Sequence, residues 1–276
     1  MLTVFSGCRR SQPGGRISEP SHADASSGQT LWLTANGLRL KSKIYTSAKT
    51  GSSPALILVL HGDSPFGPPS YQYAFAQKLA TELDNAVVVA LLRPGYTDNT
   101  GEHSEGERGR TTGDNYTPQV VDAVAAVITQ LRARFHPACT VVIGHSGGAA
   151  IAADLLGRWP SVVNAALLVS CPCDLERWRR HMLSRQYNPI WLLPVHSISP
   201  MSVAERVSPS VNIRMLVGSQ DEIAPSSLTE EYAALLKKRG DNVAVVVAPG
   251  LPHDILLEPA AFAQARQLVE DCRRAR

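Results

Sequence analysis

The chain of 276 residues contains no apolar run that approaches the roughly 20 residues a membrane-spanning helix needs. It also contains no basic stripe with interleaved aromatic residues, and its net charge is only +3. These two absences argue against a transmembrane segment and against nucleic acid as a partner. The chain does contain 44% hydrophobic residues, which is enough to bury one large core.

Cysteine is also scarce, with five residues that are too few and too scattered for a disulfide scaffold. Cys171 and Cys173 form the one close pair, but their one-residue spacing differs from the redox C-x-x-C motif. No further cluster of cysteine or histidine suggests a zinc site. We therefore interpret Cys171 and Cys173 as small residues that line a wall, and we expect no metal ion and no cofactor.

Residues 7–29 are rich in Ser, Gly, Pro and Arg and contain almost no large apolar side chain. Such a composition cannot offset the entropy of ordering, so we expect residues 1–29 to be a disordered segment or tether, followed by one domain over residues 30–276. The stretch ending in Ser6-Gly7-Cys8 resembles the tail of a bacterial lipoprotein signal, although a charged start and a full apolar stretch are missing. Two localisations stay open: the cytoplasm, or the bacterial cell envelope with a lipid on Cys8 if the start is truncated.

The remaining sequence begins with a hairpin pattern and continues with alternating strands and helices. Asn36-Gly37 between two apolar stretches is a strong signal for a two-residue hairpin turn. The predicted strands are 31–35, 38–46, 55–60, 86–92, 140–143, 165–170, 213–217 and 243–247. The predicted helices begin at Tyr71, Pro118, Ala149, Ser226 and Pro259. This order predicts an α/β fold with a mostly parallel, eight-stranded sheet and helices on both faces.

A serine stands between one of these strands and the helix that follows it, in Gly144-His145-Ser146-Gly147-Gly148. Small residues permit a tight strand-to-helix turn, which would lift the Ser146 hydroxyl clear of the backbone at a helix N-terminus. This pattern resembles the nucleophile elbow of the α/β-hydrolase superfamily. A glycine-rich turn that merely packs closely is the structural alternative.

The order of polar residues after the serine strengthens the resemblance. In that superfamily an acid and then a histidine follow the nucleophile, each on a loop after a strand. His253 follows the last predicted strand, and Asp221 ends the strand before it. The resemblance therefore implies a catalytic triad of Ser146, Asp221 and His253. Asp174, after an earlier strand, and Glu222 are the competing acids.

Two backbone amides are expected to stabilise the oxyanion that forms during acyl transfer. One belongs to Gly147, the residue after the nucleophile. The other is expected in the loop His61-Gly62-Asp63, which resembles the His-Gly oxyanion turn of the superfamily. By that analogy Asp63 donates its amide, with Ser64 as the alternative, and His61 only orders its own loop.

Residues 171–211 form a connection of about 40 residues, longer than an ordinary loop, which predicts a lid. Trp178 and Trp191 lie within it, and His145 lies in the elbow. We expect these three side chains to contact substrate, although the two tryptophans are also suited to closing the core beneath the lid.

Together these features imply a serine hydrolase that cleaves small-molecule carboxylic esters through an acyl-enzyme intermediate. A serine peptidase or amidase of the prolyl-oligopeptidase type is the alternative, because its relatives share the second glycine found here as Gly148. A catalytically inactive binding scaffold is a remote third possibility. The sequence leaves the acyl and alcohol groups of the substrate and the oligomeric state open.

Overall fold

The computed structural model describes residues 28–275. The predicted lipidation site at Cys8, and all but the last two residues of the predicted tether, lie outside the described residues. The strands are β1 (Gln29–Ala35), β2 (Leu38–Thr46), β3 (Ala55–Leu60), β4 (Ala86–Leu91), β5 (Cys139–His145), β6 (Ala165–Val169), β7 (Asn212–Gly218) and β8 (Val243–Ala248). The α-helices are α1 (Tyr71–Glu82), α2 (Pro118–Phe135), α3 (Gly147–Arg158), α4 (Leu175–Gln186), α5 (Pro200–Val203), α6 (Ser226–Lys238) and α7 (Pro259–Arg274).

The strands form a single eight-stranded sheet in the order β1-β2-β4-β3-β5-β6-β7-β8. The β1–β2 and β2–β4 pairs are antiparallel, and every pair from β4 onward is parallel. The predicted hairpin is present, since Asn36 and Gly37 join β1 to β2 with φ of 50° and 79°. Positive φ at both positions is what a type I′ turn requires. The predicted fold class is therefore confirmed.

Helices cover both faces of the sheet, as continuous apolar strands require. Every residue of β3 to β6 is buried. Alternate residues of β3 enter different cores: Leu56 and Leu58 pack with α2 and α3, whereas Ile57 and Val59 pack with α1 and α7. This two-sided burial fixes the register of the parallel strands.

The fold gathers the predicted functional residues at one edge of the sheet. Because β3 to β8 run parallel, the loops after their carboxyl ends lie together, which is where ligands bind in open α/β sheets. Asp63 follows β3, Ser146 follows β5, Asp221 follows β7 and His253 follows β8.

Residues 171–211 fold into α4, two single-turn 3₁₀-helices (Pro189–Leu192 and Ala204–Arg206) and α5. Cys171 and Cys173 are buried as expected, but they are also joined to each other by a disulfide, which the sequence interpretation missed. Their Cα atoms lie 5.1 Å apart, a separation that permits the bond despite the short spacing. Among the described residues, no helix combines the length and the apolar character needed to cross a membrane.

Candidate active site

Ser146 occupies a strained turn between β5 and α3. Its φ of 52° and ψ of −120° are unusual for a residue with a side chain. A Cβ at position 144 would lie 2.3 Å from the carbonyl oxygen of Gly148, so only glycine permits the chain to bend back this closely. The sequence motif thus creates a sharp strand-to-helix turn with the serine at its tip.

The hydroxyl of Ser146 begins a chain of hydrogen bonds. Its Oγ lies 2.9 Å from His253 Nε2, and His253 Nδ1 lies 2.9 Å from both carboxylate oxygens of Asp221. The backbone amides of Ile223 and Ala224 donate to Asp221 Oδ1 at 3.0 and 2.8 Å. The carboxylate is therefore held in place, and it selects the histidine tautomer that carries its proton on Nδ1.

The two competing acids have other partners. The Asp174 side chain accepts a hydrogen bond from the Arg177 amide at 3.1 Å and so caps the N-terminus of α4. Glu222 is exposed and forms an ion pair with Arg185. The structure thus brings Asp221, and neither of these acids, to His253.

Gly147 and Asp63, whose amides are the two predicted oxyanion donors, are neighbours in the structure. Among the described residues, neither the Gly147 amide nor the Asp63 amide donates a hydrogen bond. A Cβ at position 147 would lie 2.6 Å from both Asp63 Oδ1 and the Tyr116 hydroxyl, so the loop after β3 packs directly on the elbow.

The Asp63 carboxylate is held by four donors that the sequence interpretation did not foresee. It accepts hydrogen bonds from the Tyr96 hydroxyl (3.1 Å), the Tyr116 hydroxyl (2.8 Å) and the Gly113 amide (2.8 Å), and it pairs with Arg93 at 3.0 Å. Burial alone would lower the pKa of Arg93, but the neighbouring tyrosines and Asp63 raise it, so the guanidinium stays charged. This fully buried arginine balances the charge of Asp63 beside the elbow.

His61 orders its own loop. Its Nδ1 lies 2.7 Å from the Gly62 carbonyl oxygen, and its Nε2 accepts a hydrogen bond from the Arg93 amide at 3.0 Å. Burial, reinforced by the Arg93 charge, lowers the pKa of His61 well below its usual value. The ring is therefore neutral and fully engaged away from Ser146.

His145 lies behind His253 and has partners on both ring nitrogens. Its Nδ1 lies 2.8 Å from the Tyr71 hydroxyl, and its Nε2 lies 3.1 Å from the His253 carbonyl oxygen. Burial, followed by the proximity of His253, lowers the pKa of His145 to about 4. The expectation that His145 contacts substrate stays a prediction.

The sequence interpretation missed two residues that hydrogen-bond to the histidines of the candidate site, Tyr71 to His145 and Ser170 to His253. The Ser170 hydroxyl donates to the same His253 carbonyl oxygen at 2.9 Å. The position of Ser170 just after β6, at the edge that carries the nucleophile, is the one signal that could have identified it. Tyr71 gave no signal beyond its place at the start of a predicted helix.

The two tryptophans of residues 171–211 are buried and touch each other edge to face, with ring centroids 5.3 Å apart. The Trp178 indole donates to the Ile223 carbonyl oxygen at 2.9 Å, and the Trp191 indole donates to Gln186 at 2.8 Å. They close the core beneath this segment. Contact with substrate stays a prediction for both.

Within residues 28–275, one group of side chains has ligand atoms close enough together for a metal ion, namely His145, His253 and Asp254. Each ring nitrogen of the two histidines already has a hydrogen-bond partner. A metal ion bound there would break the chain from Ser146 to Asp221.

A mostly parallel sheet with such a site at its carboxyl edge is the architecture of the α/β hydrolases. The chain belongs to the Alpha/beta hydrolase family, whose model matches residues 57–205, more than half of its length. It is therefore a hydrolase.

Known proteins similar to this chain include both esterases and peptidases. It is 24% identical to acylamino-acid-releasing enzyme 2 of Oryza sativa subsp. japonica over 89% of this chain but only 32% of the rice protein. An esterase of Pyrococcus furiosus matches with a TM-score of 0.67 and 16% identity, covering 97% of this chain and 99% of the esterase. A proline iminopeptidase of Mycobacterium smegmatis matches with a TM-score of 0.66 and 17% identity, covering 90% and 99%.

Proposed function

We propose that the protein is a serine hydrolase that cleaves small carboxylic esters through an acyl-enzyme intermediate. The observation that carries the proposal is the unbroken hydrogen-bond chain from Ser146 through His253 to Asp221, with 2.9 Å at each contact. A serine hydroxyl is a weak nucleophile on its own, and an adjacent oriented base activates it.

In the proposed mechanism Ser146 Oγ attacks the ester carbonyl carbon while His253 Nε2 takes the hydroxyl proton. The imidazolium that forms is stabilised by Asp221, which keeps its charge, and it returns the proton to the departing alcohol. Water then attacks the acyl-serine with the same histidine as base, which releases the carboxylic acid and restores the serine. The amides of Gly147 and Asp63 are proposed to bind the oxyanion of both tetrahedral intermediates.

Residues 171–211 are proposed to form a wall over this site rather than a separate domain. Trp178 binds the loop that orients Asp221 through its bond to Ile223. The next residue of α4, Arg179, donates from its guanidinium to the loop before α2 and to the 3₁₀-helix after α4. Its acceptors are Thr111 Oγ1 and the carbonyl oxygens of Thr112, Ile190, Trp191 and Leu193. Such a wall would limit the size of the acyl or alcohol group.

Cleavage of acylated peptides is the second candidate function. The resemblance to the rice acylamino-acid-releasing enzyme over most of this chain favours it, since that name describes release of an acylated amino acid. An ester is the simpler substrate, because its alcohol leaves with little help from an acid, whereas an amine must be protonated as it departs.

Two measurements on the purified protein test the proposal. A fluorophosphonate probe should attach to Ser146, as located by peptide mass spectrometry, and Ser146→Ala should abolish labelling. Ser202→Ala, which removes an exposed hydroxyl on α5, is the matched control and should label normally. Hydrolysis of p-nitrophenyl esters, compared with acyl-aminoacyl p-nitroanilides, then separates the two substrate classes. An unlabelled wild-type protein with no hydrolysis of either class would rule out a serine hydrolase.

A further inference from the structure

A chain of hydrogen bonds runs behind the candidate site and joins two of its loops. The Gly62 amide donates to the Tyr71 hydroxyl at 2.5 Å, and that hydroxyl lies 2.8 Å from His145 Nδ1. On the other side of the ring, His145 Nε2 lies 3.1 Å from the carbonyl oxygen of His253. The chain thus connects the loop after β3 to the loop after β8.

The directions of the hydrogen bonds follow from the two ends of the chain. A backbone amide can only donate and a carbonyl oxygen can only accept, so Gly62 donates to the Tyr71 oxygen and His145 Nε2 donates to the His253 carbonyl oxygen. The neutral His145 ring then has no proton on Nδ1, so the Tyr71 hydroxyl donates to that nitrogen. Burial raises the pKa of Tyr71 and lowers that of His145, so both stay neutral and the directions are fixed.

Both ends of the chain touch the proposed catalytic groups. A Cβ at Gly62 would lie 2.9 Å from the Ser146 Cβ, so the loop after β3 rests against the nucleophile. The next residue, Asp63, supplies one of the proposed oxyanion amides. At the other end, the carbonyl oxygen that accepts the hydrogen bond from His145 belongs to the proposed base itself.

We propose that Tyr71 and His145 are positioning residues that fix the oxyanion loop relative to His253. This inference rests on the proposed function. Tyr71 fixes the orientation of the peptide group between His61 and Gly62. His145 fixes the position of the His253 carbonyl, and so of the backbone that carries the His253 ring. Neither residue takes part in proton transfer, and neither needs to touch the substrate.

Tyr71→Phe tests the proposal because it keeps the ring that packs edge to face on His145 and removes only the hydroxyl. The expected result is a fall in kcat of about 10- to 100-fold, since small displacements of catalytic groups have effects of this size. KM for the ester should change by less than about twofold, because ground-state binding is not altered.

Tyr73→Phe is the matched control, because Tyr73 lies on the same helix and its hydroxyl also donates a hydrogen bond away from solvent. The Tyr73 hydroxyl donates to Asp98 at 3.0 Å and not to a residue of the elbow or of the oxyanion loop. This variant should lose a similar amount of stability and keep its kcat. Equal kcat values for the two variants, each corrected for folded protein by thermal melting, would overturn the proposal.

A trifluoromethyl ketone, which adds to the serine as a tetrahedral mimic, provides a readout that a merely structural role would not move. Its inhibition constant for Tyr71→Phe should rise by the same factor as kcat/KM falls. An unchanged inhibition constant together with a lower kcat would contradict an effect on the oxyanion loop.

Variants of His145 keep the proposal testable if Tyr71→Phe fails to fold. His145→Gln can still accept from Tyr71 and donate to the His253 carbonyl, whereas His145→Ala can do neither. The glutamine variant should therefore retain more kcat than the alanine variant, and equal losses would overturn the proposal. A wild-type enzyme that neither labels nor hydrolyses esters would instead defeat the proposed function, so the two failures are distinguishable.

Discussion

Lys41 and Asp98 form an ion pair of 2.5 Å in which neither side chain is exposed. Lys41 lies on β2, and Asp98 lies in the loop that leaves β4 toward the site. The hydroxyl groups of Tyr73 and Thr100 also donate to the Asp98 carboxylate. The pair therefore anchors the loop between β4 and α2, which supplies Tyr96, Gly113 and the other partners of Asp63.

Lys41→Met should destabilise the protein by about 3–5 kcal/mol, because it leaves the Asp98 carboxylate buried without its cation. Urea denaturation monitored by circular dichroism measures the change in the free energy of unfolding. Lys49→Met, at an exposed lysine, is the control and should remain within about 0.5 kcal/mol of wild type. A similar small change for Lys41→Met would show that the pair contributes little.

Asp98 should also make the protein sensitive to acid. Burial alone would raise the pKa of this carboxyl, but hydrogen bonds from Lys41, Thr100 and Tyr73 lower it to about 2. Because the pKa is lower in the folded state, the ionised Asp98 stabilises the protein at pH values above the unfolded-state pKa. This stabilisation is lost as the pH falls toward about 2. Denaturation between pH 5 and pH 2 should show a loss of about 2 kcal/mol that Asp98→Asn lacks. Identical acid profiles would contradict this assignment.

Asp154, on α3, should have the opposite pH dependence. It is fully buried, and neither carboxylate oxygen has a hydrogen-bond partner among the described residues. Burial raises the pKa of Asp154 well above its usual value, so the folded protein holds a proton that the unfolded chain releases. Stability from this group is therefore present at low pH and falls as the pH rises.

Asp154→Asn replaces the acid with a neutral group of the same shape and should reduce that loss. The variant should be more stable than wild type at pH 8, and the difference should shrink toward pH 4. Urea denaturation at several pH values measures it, with the exposed Asp84→Asn as control. A constant difference across this range would mean that Asp154 does not titrate as described.

Asp221 and Asp174 permit a direct comparison of the two strand-end acids. Asp221→Asn should keep the geometry but favour the wrong tautomer of His253, which costs on the order of 10⁴ in kcat in other Ser–His–Asp hydrolases. Asp174→Asn keeps a side-chain oxygen that can accept from the Arg177 amide and cap α4, and it should change kcat little. Steady-state ester hydrolysis decides between them, and the reverse ranking would move the acid to the loop after β6.

Ser146→Ala and His253→Ala should each lower kcat by roughly 10³- to 10⁶-fold, and the double variant should be no worse than either. Residues that act as one unit give such non-additive losses. The measurement is ester hydrolysis with circular dichroism spectra to establish folding. Losses that add in the double variant would mean that His253 serves binding rather than base catalysis.

Most of the sheet, and the three residues Ser146, Asp221 and His253, could be predicted from local sequence patterns. β3 and α1 begin and end where their apolar patterns do, because both elements are defined by nearby residues. The Asn36-Gly37 turn is equally local, and so is the start of α2 at Pro118, where the Thr117 side chain accepts from the Val120 amide. The serine motif and the strand ends that follow it put Ser146, Asp221 and His253 on the same edge of the sheet.

The unpredicted contacts of Tyr71 and Arg93 depend on parts of the chain that are distant in sequence. Tyr71 meets His145 across 74 residues, and nothing near either residue in the sequence signals that contact. The burial of Arg93 beside Asp63 depends in the same way on two loops meeting over the elbow. The Cys171–Cys173 disulfide was missed for a different reason, since cysteines two residues apart pair only where the local backbone brings their Cα atoms close enough, here to 5.1 Å.

The five hydrogen bonds of Arg179 have a consequence for local unfolding. One guanidinium holds the loop before α2 together with the 3₁₀-helix after α4. Neither segment can open while the other stays closed without leaving buried donors unpaired. The amide protons of both segments should therefore exchange with solvent as one cooperative unit, at rates that fall together when the protein is stabilised.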